Sequence, residues 1–219
     1  MTRPAGPVAI EIAGPMGRLE ALLEEPESAT TEAFAIVCHP HPLHQGTMNN
    51  KVVHTVARAV NLTGRPAVRF NFRGVGKSAG RYDNGDGETE DLLAVVDWGK
   101  QRWPGARLWL AGFSFGSHVA LRATQIVEPD RLILVAPPVT RFSVSETLSP
   151  RCPWLVIQGE NDELVDFKAV ASWTRQLSPQ PMLKLMPDTD HFFHGRLRAL
   201  KETIMGFLGV KSDAGGSLA

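Results

Sequence analysis

The sequence predicts an α/β fold of three layers, a mostly parallel sheet covered by helices, and three observations carry that expectation. Short β-rich runs bounded by Gly, Pro and Asp recur from end to end. After the first two, these runs alternate with longer amphipathic stretches, the pattern of parallel strands joined by right-handed helical crossovers. The 219 residues, 43% of them hydrophobic, suffice for one substantial core, so a single domain over 1–210 is expected. The closing "KSDAGGSLA" has little to bury, and 211–219 is expected to form a disordered tail.

Element by element, "VAIEIAG" and "RLEALLEEP" flank "PMG" and read as a hairpin. "AFAIVCH" is a largely apolar strand of the kind buried on both faces. A helix follows from about Asn49 to Leu62, with Val52, Val53, Val56, Ala59 and Val60 on one stripe. "PAVRFNF" is the next strand, and "ETEDLLAVVDWGKQRW" is a helix whose acidic start and basic end complement its dipole. Strand "RLWLAGF", helix "FGSHVALRATQIV" and strands "RLILVAP" and "WLVIQGE" come next. A helix over 166–177, strand "MLKLMP" and a helix over 195–208 complete the series.

Composition excludes several classes of function. Twenty-three basic residues balance twenty-three acidic ones without a block of like charge, so neither a nucleic acid nor a membrane surface is an expected partner. A small, roughly neutral substrate fits better. Cys38 and Cys152 are too few for a disulfide framework and read as buried thiols. The first residues lack an apolar segment of signal-peptide length, and no run approaches the roughly 18 apolar residues of a membrane helix, so a cytoplasmic location is expected.

The stretch "RFNFRGVGKSAG" has the look of a phosphate-binding P-loop, but that pattern needs glycine where Asn71 stands, and a run of turn formers follows Ser78 instead of a helix. The sharper signal lies at Gly112-Phe113-Ser114-Phe115-Gly116, where a strand runs into a helix through a Gly-X-Ser-X-Gly turn. Glycines there allow a strained serine to sit close to neighbouring backbone, and the helix N-terminus favours an oxyanion formed beside it. A serine hydroxyl needs a base and an orienting acid. Asp162 and His191 supply them in the order Ser, Asp, His, each in a loop after a strand, and such loops emerge on one edge of a parallel sheet. Glu160, Asp166 and Asp190 compete for the acid and His194 for the base. Glu160 lies too near its strand, and His194 opens a helix. Phe115 is expected to offer one oxyanion N–H.

With these blocks, "CHPHPLHQGTMNN", "FNFRGVGKSAG", "GFSFG", "GENDELV" and "DHFF", the chain resembles an α/β-hydrolase, and more closely the small lidless bacterial serine hydrolases related to dienelactone hydrolases and carboxylesterases. Dienelactone hydrolases proper use a cysteine nucleophile, where this chain has Ser114. The resemblance implies eight strands, the first pair antiparallel to the rest, and a second oxyanion donor after the third strand. His41 is the candidate, with Leu43 its rival, since Pro40 and Pro42 have no N–H. It also implies that Arg73 and Ser78 pin the loop after the fourth strand, while Lys77 is solvated.

His39, His41 and His44 together invite a zinc reading, but no carboxylate follows in the usual position, and neither metal nor cofactor is expected. His54 and His118 read as packing residues. Only residues 136–153 separate two strands where many hydrolases insert a cap, so an open cleft is expected, with Phe113, Phe142, Phe192 and Phe193 as candidate walls. The expected activity is cleavage of a small carboxylic ester by a monomer or homodimer. The alternatives are thioester or peptide cleavage on the same residues, or an idle hydrolase scaffold that only binds.

Overall fold

The computed structural model describes residues 6–26, 32–141 and 150–209, so the expected tail and Phe142 lie outside the described residues. Eight strands form one sheet: β1 (Val8–Gly14), β2 (Gly17–Glu24), β3 (Ala33–Cys38), β4 (Ala67–Phe70), β5 (Arg107–Phe113), β6 (Arg131–Val135), β7 (Trp154–Gly159) and β8 (Met182–Met186). Their order across the sheet is β1-β2-β4-β3-β5-β6-β7-β8. β1 pairs antiparallel with β2, and β2 antiparallel with β4, whereas every later pairing is parallel. The reversal is therefore confined to β2, not shared by the first pair. A two-residue turn sends β2 back along β1, and β1 itself points the same way as the parallel strands.

Five helices complete the layers: α1 (Lys51–Asn61), α2 (Asp86–Arg102), α3 (Phe115–Ala123), α4 (Phe167–Gln176) and α5 (Leu197–Phe207). The period of two along a strand decides which helix each side chain meets. On β3, Phe34, Ile36 and Cys38 pack on one face with Leu92, Val95 and Val96 of α2 and Val119 of α3, the side that α4 also covers through Val170 and Trp173. Ala33, Ala35 and Val37 face the other way, against Val52, Val53, Val56 and Val60 of α1, beside Leu200 and Ile204 of α5. Because both faces are covered, β3, β4 and β7 are buried throughout, which is why their sequences are unbroken apolar runs with few polar exceptions.

Helix ends depart from the sequence expectation for local reasons. α2 begins at Asp86 because the Glu88 carboxylate reaches back to accept from the Gly85 N–H at 2.7 Å and the Asp83 N–H at 2.9 Å. α3 stops at Ala123, and the chain continues in tight turns, with the Gln125 N–H bonded to the Arg122 carbonyl and the Ile126 N–H to that of Ala123. Parallel order brings the loops after β3, β4, β5, β7 and β8 to one edge of the sheet.

Candidate active site

The turn between β5 and α3 is built by missing side chains. A Cβ on Gly112 would overlap the backbone of Gly116 and Ser117, and one on Gly116 would overlap the carbonyls of Cys38 and His39. The first turn of α3 is thereby pressed against the end of β3, and Ser114 takes φ 52°, ψ −120°, a conformation that side chains rarely adopt. The backbone is held by the Ser114 N–H, which donates to the Val135 carbonyl at 2.8 Å. Beneath it the Ser117 hydroxyl lies 2.7 Å from the Gly112 carbonyl and 2.9 Å from that of Val135, and it accepts from the Val135 N–H at 3.1 Å. A serine at a helix N-terminus ordinarily caps it. Ser114 makes no capping bond; its Oγ lies 3.1 Å from His191 Nε2.

His191 and Asp162 reach Ser114 from the two outermost parallel strands. His191 Nδ1 lies 2.8 Å from Asp162 Oδ2, and both side chains are almost wholly buried. Asp162 Oδ1 accepts from the N–H groups of Leu164 at 2.9 Å and Val165 at 2.8 Å, while Oδ2 also accepts from Gln158 Nε2 at 2.9 Å. Burial works to raise the Asp162 carboxyl, but the His191 hydrogen bond and charge and the two backbone donors outweigh it and hold the group below the ordinary aspartate range. The loops are stitched together as well: the Glu160 N–H donates to the Met186 carbonyl, the Asn161 N–H to that of Thr189, and the His191 N–H to Glu163 Oε2 at 3.3 Å. The rival acids are otherwise engaged. Asp166 caps α4 through the Lys168 N–H, and Asp190 binds both the N–H and Nδ1 of His194, away from Ser114.

The loop after β3 lies against the elbow. His39 is fully buried; its Nε2 accepts from the Phe72 N–H at 3.1 Å, so its proton sits on Nδ1 and is donated to the Pro40 carbonyl at 2.6 Å. Burial lowers its pKa to about 4, against a smaller upward pull from that carbonyl. A single 3-10 turn, Pro42–His44, follows, a detail absent from the sequence expectation. The Leu43 N–H donates to His41 Nδ1 at 3.2 Å, which engages the rival oxyanion donor inside its own loop. His41 Nε2 then carries the proton and donates to the Tyr82 hydroxyl oxygen at 3.1 Å, and the His41 ring packs 5.0 Å from that of Phe115. Burial first, then the charges of His44 and Arg141, hold His41 below the ordinary histidine value. Phe115 is the first residue of α3, with its N–H at the helix terminus beside Ser114.

Several expected residues fall elsewhere. Phe113 and Phe193 are wholly buried and belong to the core, whereas Phe192 is exposed beside His191. His54 is exposed rather than packed, because it lies on the outer face of α1, and Cys152 is only half-buried. Arg73 faces Asp91 through Nε and Nη2 and Glu90 through Nη2, and Ser78 joins the Asn71 carbonyl to the Glu20 N–H, so both pin the loop after β4. Lys77 is exposed. Among the described residues no group of His, Cys, Asp and Glu could hold a metal ion, and no helix is long and apolar enough to cross a membrane. Gln158, Ser117 and Tyr82 were not foreseen. The one available signal was a glutamine in the apolar strand "WLVIQG", since a buried amide needs a partner.

A mostly parallel eight-stranded sheet with a nucleophile-elbow turn and no inserted cap defines the class, a lidless α/β hydrolase. The comparisons agree. A family model described as serine aminopeptidase, S33, matches residues 36–145. The lidless α/β serine hydrolase XC6422 of Xanthomonas campestris is similar over 95% of this chain and 96% of its own, with 46% identity and a TM-score of 0.89. An α/β serine hydrolase homologue from Coxiella burnetii is similar over 95% and 99%, with 45% identity and a TM-score of 0.89. Uncharacterized protein RP471 of Rickettsia prowazekii is 35% identical over 205 residues, 89% of this chain and 86% of its own. The chain belongs to the serine aminopeptidase S33 family of α/β hydrolases.

Proposed function

We propose that this hydrolase cleaves small carboxylic esters through an acyl-enzyme on Ser114. The observation that carries the reading is the unbroken chain from Ser114 Oγ to His191 Nε2, and from His191 Nδ1 to Asp162 Oδ2. With Asp162 ionised, the His191 proton sits on Nδ1, leaving the Nε2 lone pair toward the serine. Ser114 Oγ bonds to the ester carbonyl carbon as Nε2 takes the hydroxyl proton. Nε2 then gives that proton to the departing alcohol oxygen as the carbon–oxygen bond breaks. Water, deprotonated by the same nitrogen, releases the acid. The N–H groups of Phe115 and His41 are assigned to the developing oxyanion, and the engagement of Leu43 with the His41 ring favours His41 over its rival.

Only residues 136–153 join β6 to β7, which leaves no room for a cap domain and favours short acyl esters at an open cleft. The description of the matching family as a serine aminopeptidase favours a second reading, peptide cleavage by the same residues. A fluorophosphonate probe should label the wild type and not Ser114→Ala, and the substitution should lower ester turnover by at least about 10⁴-fold. Equal labelling of both proteins, or of neither, overturns the proposal. Short acyl esters assayed beside aminoacyl amides separate the two readings.

A further inference from the structure

Phe192 is 42% exposed, although its neighbours Phe113 and Phe193 are fully buried. Its ring stands at 90° to the His191 imidazole with centroids 5.1 Å apart, and 6.2 Å from the ring of Phe113. A large apolar side chain thus stands open to solvent beside the histidine. Its exposure is explained neither by the core nor by the hydrogen bonds that hold the three polar residues.

The proton inventory of the proposed reaction states which part of a substrate meets them. His191 Nε2 must give its proton to the leaving oxygen, so that oxygen comes within about 3 Å of Nε2. The carbonyl oxygen turns the opposite way, toward the N–H groups of Phe115 and His41. The carbons attached to the leaving oxygen therefore lie on the His191 side, where the exposed Phe192 ring has its centroid 5.1 Å from that of the imidazole. From this, and resting on the acyl-enzyme reading above, we propose that Phe192 is the specificity determinant for the alcohol half of the ester and selects alcohols that carry an aromatic group. Edge-on or offset contact between two rings adds to the apolar area removed from water, enough for a preference of about tenfold.

The alcohol is present in acylation and gone in deacylation, which gives the test its discrimination. Ethyl acetate and 2-phenylethyl acetate share an acid and have alcohols of similar leaving ability; ethyl butyrate varies the acyl side instead. The wild type should favour the phenylethyl over the ethyl ester in kcat/KM by about tenfold, and Phe192→Ala should reduce that ratio to within about twofold. The butyrate-to-acetate ratio and the rate of fluorophosphonate labelling should not change, and Phe192→Trp should keep the preference. A uniform loss on all three esters with slower labelling would mean that Phe192 acts through His191, and would overturn the proposal. So would a changed butyrate-to-acetate ratio with the alcohol preference intact, or a labelled wild type without that preference. A wild type that is neither labelled nor active on any of the esters removes the underlying reading, and the proposal with it.

Discussion

The elbow at Ser114 and the loop from His39 to Gly46 lie against each other, yet they are held by opposite means. The elbow depends on atoms that are missing: Gly112 lets the first turn of α3 touch the end of β5, and Gly116 lets it touch the backbone of Cys38 and His39. The loop depends on atoms that are present, the His39 ring between the Pro40 carbonyl and the Phe72 N–H, and the His41 ring between the Leu43 N–H and Tyr82. One region should fail when a methyl group is added, the other when a side chain is removed. Two adjoining segments can therefore be damaged separately.

The largest effect is expected at the elbow. Gly116→Ala forces a Cβ into the carbonyls of Cys38 and His39, and should cost about 3 kcal/mol or more, a fall in melting temperature of at least roughly 6 °C by calorimetry. In the loop, His39→Ala strands the buried Phe72 N–H and leaves a cavity, so urea unfolding should show a loss of about 2–3 kcal/mol.

The same histidine carries a pH signature. Burial lowers both His39 and His118 to about 4, so between about 6.5, the ordinary histidine value, and about 4 the unfolded chain binds protons that the folded one does not. Stability should therefore fall as the pH drops through that window, by up to about 1.4 kcal/mol per pH unit for each group. His39→Gln, which does not titrate, should remove about half of that histidine slope.

The smallest effects test the outer contacts. Tyr82→Phe keeps the packing on His41 and removes one partly exposed hydrogen bond, so it should cost about 1 kcal/mol or less and, under the proposed role of His41, lower kcat a few-fold at unchanged KM. Ser114→Gly should abolish ester turnover yet raise stability by up to about 1 kcal/mol, because φ 52° suits glycine and no capping bond is lost.

The same contrast explains what could be read from the sequence. The placement of side chains carried by contiguous residues was legible: a pentapeptide between a strand and a helix, and an aspartate and a histidine each in a loop after an apolar run. Parallel topology then carried Ser114, Asp162 and His191 to one edge, since the strands directly before them, β5, β7 and β8, run the same way. Supports that join distant segments were not legible. Gln158 and Asp162 sit only four positions apart, but their bond depends on how the chain leaves β7. His41 and Tyr82 are 41 positions apart, and His39 and Phe72 33, with no pattern in between to announce either meeting. Arg73 illustrates the limit from the other side. Its place in the loop after the fourth strand was expected, yet only the structure shows that Asp91, 18 positions on, is the buried carboxylate that holds it.

β8 is the last strand of the sheet, its free edge paired to nothing among the described residues, and His191 hangs from the loop that follows it. Ser114 instead follows β5, near the middle of the sheet between β3 and β6. An edge strand opens at lower free energy than a central one. Under the proposed roles of Ser114 and His191, warming should therefore detach the histidine while the serine is still in place, so that hydrolysis fades below the melting temperature and returns on cooling. On that reading the working range is set by the fraying of one five-residue border rather than by the strength of the core.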